Sequence, residues 1–442
     1  MIRQRFDHLP PVLRIVLGLT LLVMVGSSLL LLPGIGRQTA LTPGEALFTA
    51  TSALTVTGLS VITPGTDLTL FGQIVLLLLI QVGGVGFMAV ATILFRLLGR
   101  RIHLLNRLAL QDSLGLNAPG AILRALGRVL LFALIIEGVG TILLWWHWAR
   151  WFPPGQAFFM ALFHAVSAYC NAGFDLFGGT RFNGIPTDTL SLGIMSGLII
   201  LGGLGMPVMS ELVLERRRLS LHTRISLVMM GGLLLLGWVG LWLAESRPDG
   251  VLAGLSTGEG LMLTYFQAVA VRTAGFASLP AFHALTAASQ WLLMGLMFIG
   301  TAPASMGGGI TTGTLAVLVI SLWSYARGVP VAQVAHRTIP PETTRRAAAI
   351  LTVSLLVVGL ATWLILVTHL VPLEMAMFEV VSAFATTGLS LGMTEQLNGF
   401  GRLIIILVMF WGRLGALTLI VALARTRHPQ AFRYPEENLL IG

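Results

Sequence analysis

Long apolar stretches decide most of what this chain can become. Eight of them, roughly 12–32, 70–95, 129–148, 190–214, 225–244, 290–322, 347–371 and 402–424, have the length to cross a bilayer, which takes about 20 apolar residues. In lipid a backbone must satisfy its own polar groups, and stretches of this length do so as helices. Hydrophobic residues make up 55% of the 442 and charged residues only 10%, so the chain lacks the charged surface of a soluble domain. We therefore read an all-α integral membrane protein in contact with a lipid bilayer. The first stretch follows a basic N-terminus, as in a signal peptide. It runs on to Leu32 without a small-residue cleavage pattern, so it reads as a retained span.

The charges orient it. All 27 basic residues are arginines, and they flank the apolar stretches instead of forming a basic domain, so the net charge of +9 does not point to nucleic acid. Twenty fall on one side: the first three, Arg96 to Arg128, Arg216 to Arg224, Arg327 to Arg346, and Arg425, Arg427 and Arg433. Arg37, Arg150, Arg181, Arg247 and Arg402 fall on the other. The excess marks the cytoplasmic side of a plasma (inner) membrane and places both termini there. Cys170 is the lone cysteine, which excludes an internal disulfide.

Between successive pairs of spans lie shorter semi-apolar segments, 43–54, 156–168, 258–271 and 372–385, too short to span and suited to re-entrant helices. Each runs into a glycine motif: LTVTGLSV at 54–61, YCNAGFDL at 169–176, VRTAGFAS at 271–278 and FATTGLSL at 384–391. The motif glycines, Gly58, Gly173, Gly275 and Gly388, are separated by 115, 102 and 113 residues. A second marker keeps step: GGVG at 83–86, GGLG at 202–205, GTAP at 300–303 and GRLG at 412–415, beginning 25, 29, 25 and 24 residues after each motif glycine. The chain thus reads as four parallel span–pore-helix–span repeats, eight transmembrane helices in a pseudo-fourfold arrangement around one ion pore. The repeats are 1–100, 101–222, 223–335 and 336–442.

Four re-entrant loops meeting on one axis present rings of carbonyl oxygens able to replace the hydration shell of a monovalent cation. Glycine supplies the unusual dihedrals such a loop needs, and each short helix turns the negative end of its dipole toward the centre. No motif carries a carboxylate at its glycine or in the three residues before it, which argues against a divalent-selective acidic ring; Asp175 lies just beyond Gly173.

These motifs, with GRLG, TAPASMGGGITTGT at 301–314 and the C-terminal YPEENLLIG, resemble the Trk/Ktr/HKT superfamily of cation transporters over essentially the whole chain. The ending resembles KtrB-type membrane subunits in particular. The resemblance implies potassium uptake through a filter formed by Thr55, Val56, Thr57 and Gly58; Cys170, Asn171, Ala172 and Gly173; Arg272, Thr273, Ala274 and Gly275; and Ala385, Thr386, Thr387 and Gly388. Potassium would be held at the four glycines, since glycine at all four positions goes with potassium selectivity and serine at the first with sodium permeation. It further implies a homodimer with one pore per subunit, and a cytosolic RCK-type, KtrA-like nucleotide-binding ring carrying ADP or ATP. No cofactor is expected on this chain itself, and activation by sodium stays open. Segments 323–346 and 96–114 are the candidate docking surfaces.

An intramembrane loop is expected near 303–313, where Pro303, Gly307, Gly308 and Gly309 interrupt a helix. It reads as a gate beneath the filter or as a simple kink; Thr311 stands where the family commonly has lysine. Arg413 lies near mid-membrane, where an unpaired charge costs several kcal/mol. Its readings are a cation-facing barrier, which the family implies, or a salt bridge to Glu379. Arg272 reads as a brace behind the third loop, GGVG and GGLG as close-packing sites, and Glu137 and Glu379 as structurally partnered acids. Alternatives are a Trk-type or sodium-permeable member, or a coupled secondary carrier, which inverted repeats would favour. A membrane enzyme would need a polar catalytic cluster at one interface, and no nucleophile motif, phosphate loop or carboxylate pair is present in the sequence.

Overall fold

The computed structural model describes residues 11–86, 122–180, 182, 184–214 and 219–415. The chain is mostly helical. Its helices run α1 (Pro11–Leu30), α2 (Pro43–Thr55), α3 (Leu70–Val85), α4 (Ile122–Trp148), α5 (Pro154–Tyr169), α6 (Thr189–Gly203), α7 (Met206–Leu214) and α8 (Leu221–Glu245). There follow α9 (Thr257–Ala270), α10 (Ala287–Phe298), α11 (Thr312–Ala326), α12 (Pro341–Thr368), α13 (Leu373–Ala385) and α14 (Gly399–Leu414).

Local chemistry explains the helix starts. Thr42 and Ser256 open α2 and α9 through reciprocal capping boxes with Glu45 and Glu259, each satisfying two otherwise orphaned backbone donors. Asp188, Ser220, Thr286 and Asn398 cap α6, α8, α10 and α14 with their side-chain oxygens. Proline enters the first turn of α2, α5 and α12, where no intrahelical donor is needed.

Polarity is inside out. Large apolar side chains stand exposed on the outer helices, among them Leu21, Trp146, Val228, Leu322, Leu356 and Leu407. The interior holds a dense set of buried polar groups: Thr49, Thr51, Ser52, Thr55 and Thr57 near α2, His164, Ser167 and Asn171 near α5, Gln267 and Thr273 near α9, and Glu379, Ser382, Thr386 and Thr387 near α13. A soluble protein cannot tolerate so wide an exposed apolar surface; a membrane protein places it in lipid and keeps polar side chains for the inside.

The short helices α2, α5, α9 and α13 coincide with the four segments read as re-entrant. Each packs against the long helix before it. Each also packs against a helix from the region before its own: α2 on α14, α5 on α3, α9 on α6 and α13 on α10. The contacts close on themselves, the last region meeting the first.

Among the described residues, three helices are long and apolar enough to cross a membrane, within Val129–Trp148, Leu221–Glu245 and Pro341–Thr368. The other expected spans are shorter or broken within the described residues. The span read at 190–214 is α6 and α7, bent by 109° at the break between them. The one read at 290–322 is α10 and α11, separated by a loop over 299–311, slightly earlier than the 303–313 expected. Those read at 70–95 and 402–424 stop as helices at Val85 and Leu414, where Gly86 (φ 88°) and Gly415 (φ 79°) take left-handed backbone. The mostly helical class stands, and residues 323–346 add to it a small antiparallel hairpin, β1 (Gln333–Val334) and β2 (Arg337–Thr338). Its turn residues Ala335 and His336 have φ of 48° and 60°. A two-residue turn made without Gly, Asn or Asp carries little sequence signal, so the all-α reading missed it. The docking candidate 96–114, Arg216 to Arg218 and the YPEENLLIG tail lie outside the described residues.

Candidate functional site

The four glycine motifs share one backbone trace. In each, the residue two before the glycine is left-handed: Val56 (φ 57°), Asn171 (55°), Thr273 (68°) and Thr386 (50°). The glycine is left-handed again, with φ of 90°, 71°, 71° and 96° at Gly58, Gly173, Gly275 and Gly388. Holding bulky residues at positive φ costs about 1–3 kcal/mol each, so the surroundings must impose this conformation.

They impose it because the loops touch in a closed cycle. A Cβ at Gly58 would stand 2.5 Å from the Ala172 carbonyl oxygen and 3.1 Å from the Gly173 Cα. One at Gly173 would stand 2.9 Å from the Ala274 carbonyl oxygen and 3.2 Å from the Gly275 Cα. One at Gly275 would meet the Thr387 carbonyl, 3.2 Å from the Gly388 Cα, and one at Gly388 would meet the Thr57 carbonyl, 3.0 Å from the Gly58 Cα. Each glycine therefore abuts the carbonyl that precedes the next glycine, and the fourth returns to the first. No side chain fits any of these seams, and the left-handed backbone independently demands glycine.

Hydroxyls behind the loops set their conformation. Ser52 Oγ accepts from the Gly58 N–H (3.0 Å) and Ser382 Oγ from the Gly388 N–H (3.1 Å), while Ser167 Oγ donates to the Phe174 carbonyl (2.8 Å). Thr55 and Thr57 hydroxyls pair at 2.8 Å, and the Asn171 amide lies 3.1 Å from Thr273 Oγ1, tying the second loop to the third. Cys170 faces away from the seam: its thiol donates toward Glu137 Oε1 at 3.7 Å, and Gln81 Nε2 donates to Glu137 Oε2 at 3.0 Å. Glu137 thus has the structural partners expected of it. Arg272 is buried and donates through Nη2 to the Gly300 carbonyl (2.6 Å).

The interrupted helix forms a necked loop. Its ends are joined by Gly300 N–H to the Ile310 carbonyl (2.8 Å), Ile310 N–H to the Phe298 carbonyl (3.2 Å) and Thr312 N–H to the Thr301 carbonyl (3.0 Å). Ala304 and Gly309 turn it with φ of 58° and 75°. Gly308 lies so close to Thr386 that a Cβ there would approach its hydroxyl to 2.6 Å, and a Cβ at Gly307 would collide with the Thr273 hydroxyl. The loop therefore sits against the left-handed threonines of the third and fourth motifs. Thr311 is not part of its tip; it caps α11, its hydroxyl accepting from the Thr314 N–H. Pro303 instead faces the second marker, its carbonyl 2.5 Å from where a Gly205 Cβ would be.

The markers hold this loop. Ala302 and Met306 N–H groups donate to the carbonyls of Gly203 (3.2 Å) and Gly202 (3.3 Å), left free where α6 breaks. Arg413 donates to the carbonyls of Met306 and Gly83, and to that of Gly84 at 3.4 Å. This replaces the salt bridge considered for it: Glu379 instead accepts from Ser390 Oγ (2.6 Å) and from Thr394. Carbonyl acceptors bind the guanidinium without neutralising it, so the positive charge stays. Gly83 and Gly202 are packing sites as read for GGVG and GGLG, with Cβ positions against the Leu54 and Tyr169 carbonyls, and Gly412 of GRLG packs in the same way against the Phe384 carbonyl. What the sequence reading missed is that helices end there; the marker's last residue, glycine in three copies, was the available signal.

A family model described as TrkH, cation transport protein, matches residues 20–434. The chain belongs to this family. It is 36% identical over 433 residues to the Ktr system potassium uptake protein B of Vibrio alginolyticus, covering 97% of this chain and 94% of that one. It is 36% identical to the protein of the same description from Bacillus subtilis, over 98% and 96% of the two chains. It is 33% identical to the potassium/sodium uptake protein NtpJ of Enterococcus hirae, over 98% of both. The potassium transporter TrkH of Vibrio parahaemolyticus shares the fold, with a TM-score of 0.75 at 19% identity over 93% of this chain and 84% of that one. Membership in a cation-transport family agrees with the inside-out polarity of the fold.

Proposed function

We propose that this protein takes up potassium through a channel-like pore whose filter is the ring of four motif loops. The observation that carries the reading is the closed cycle of glycine-to-carbonyl contacts from Gly58 through Gly173, Gly275 and Gly388 back to Gly58. A ring of carbonyls without carboxylates suits a dehydrated monovalent cation, and four helix C-termini beside it add favourable dipole ends. The relatives of known description take up potassium, or potassium and sodium.

In this reading the chain comprises four parallel units in pseudo-fourfold order, with cytoplasmic termini in the inner membrane and one pore per subunit of a homodimer. The 299–311 loop is the gate. Arg413, which touches both the loop and the first marker, is the barrier that keeps a cation from resting below the filter. A cytosolic RCK-type ring that binds ADP or ATP would move the gate, and sodium would act as activator or as a second permeant ion. The NtpJ relative favours sodium permeation as the second reading.

Rubidium uptake in bacteria lacking their own potassium systems tests the proposal, comparing the intact chain plus a regulatory partner with Gly58→Ser. Restored uptake by the intact chain, with lost preference for potassium over sodium in Gly58→Ser, is the expected result. Equal preference in the two proteins would refute the filter reading.

A further inference from the structure

The outer ends of the four loops are not held alike. One residue in each re-entrant helix lies eight or nine positions before the motif glycine: Thr49, His164, Gln267 and Glu379. All four are fully buried. In three of them the side chain reaches forward to the segment that leaves the loop on the far side of the glycine. His164 Nε2 accepts from the Leu176 N–H at 3.2 Å. Gln267 Oε1 accepts from the Ser278 N–H at 3.0 Å and from its hydroxyl at 3.3 Å. Glu379 accepts from Ser390 Oγ at 2.6 Å and from the Thr394 hydroxyl.

The chemistry is common although the residue types differ: each supplies an acceptor. His164 Nδ1 lies 2.7 Å from the Met160 carbonyl, which can only accept, so the proton resides on Nδ1 and Nε2 is left as an acceptor. Gln267 uses only its oxygen; its amide nitrogen has no partner among the described residues. Thr49 breaks the pattern. Its hydroxyl is buried without a hydrogen-bond partner, and Ser60, which occupies the place of Ser390, bonds locally to the Ile62 carbonyl at 2.7 Å.

We infer that His164, Gln267 and Glu379 are positioning residues that fix the outer end of loops two, three and four, and that the first loop, lacking this tie, is the compliant quadrant of the ring. This rests on the filter reading above. A filter distinguishes cations of similar charge only if its carbonyls are held at a set spacing, and a buried acceptor behind loops two, three and four holds them against collapse or widening. Such a bond is strong when its surroundings are dry, and removing the acceptor leaves a buried donor unpaired.

The test measures rubidium uptake against sodium uptake for the full chain in cells without their own potassium systems, with size-exclusion profiles of the purified proteins as the folding check. Gln267→Met removes the acceptor at nearly constant volume and should reduce discrimination between the two ions about tenfold, the scale of one lost buried hydrogen bond. Glu379→Met should do the same or more. Gln267→Glu and Glu379→Gln keep an acceptor and should retain most of the discrimination. Thr49→Val removes an unpartnered hydroxyl and should leave discrimination as it was. Folded Gln267→Met protein with unchanged discrimination overturns the inference, and so does a Thr49→Val loss equal to that of Gln267→Met. Should Glu379→Met fail to fold, Gln267→Met and its Glu counterpart decide alone. Gly58→Ser runs alongside: if it too keeps full discrimination, the filter reading itself has failed; if it loses discrimination while the Met variants do not, only the tie has.

Discussion

The glycine motifs and the markers that follow them, both repeated four times in the sequence, have met different fates in the fold. The four motif loops keep one backbone conformation, left-handed at the glycine and two residues before it, and close into a cycle. The markers diverge. In the first, second and fourth, a helix ends at or just before a left-handed glycine, Gly86, Gly205 or Gly415; in the third, the helix ends at Phe298 and gives way to the 299–311 loop. That odd loop is gripped by the others: by carbonyls of Gly202 and Gly203, and by Arg413, which also holds Gly83. Symmetry is kept in the four loops, whose glycines and carbonyls meet in one cycle. It is broken in the markers, where a single loop packs against the third and fourth motifs; in the proposed reading the first set admits the ion and the second blocks it.

The largest expected effect is on the symmetric part. Gly275→Ala drives a Cβ into the Thr387 carbonyl from a left-handed backbone; overpacking and strain together cost about 2–6 kcal/mol. Selective rubidium uptake should be lost, as read in the uptake assay, and a fully selective Gly275→Ala protein would show that the seam is not tight. On the asymmetric side, Arg413→Ala removes both the charge and the anchor of the loop. Uptake should rise severalfold with selectivity retained, and a rate and selectivity both equal to those of the intact chain would rule out a barrier role.

Gly308→Ala probes the join between the two parts, since its Cβ would approach Thr386 Oγ1 to 2.6 Å. Displacing the loop should raise uptake by a smaller factor, and Thr386→Ala should reverse the change by making room. Failure of the second substitution to reverse the first would mean that the loop does not bear on the fourth motif. The smallest effect belongs far from both. Thr42→Ala removes a capping box at the outer start of α2 and should cost about 1 kcal/mol, seen as a lower melting temperature with unchanged ion preference.

The sequence made the symmetric part legible because its constraints are local and repeated. Positive φ and a backbone seam both require glycine, so Gly58, Gly173, Gly275 and Gly388 stand out at regular spacing, and the short helices before them match the observed ones within a residue or two. The broken helix was legible for a similar reason, through Pro303 and three consecutive glycines. Contacts between distant segments were not. Nothing near Arg413 in the sequence indicates that its partners are carbonyls 107 and 330 residues away, and an intramembrane arginine suggested a carboxylate instead. The acceptors His164, Gln267 and Glu379 escaped notice as a set because they share a function and not a residue type. The hairpin at 333–338 was missed because Ala335 and His336 are unusual residues for a left-handed turn.

Anomalous diffraction from crystals of the full chain grown with thallium or rubidium tests the central claim most directly. The account predicts a peak on the axis of the ring, equidistant from the carbonyl oxygens of Thr57, Ala172, Ala274 and Thr387. Ordered ions elsewhere in the protein, with none inside that ring, would contradict it.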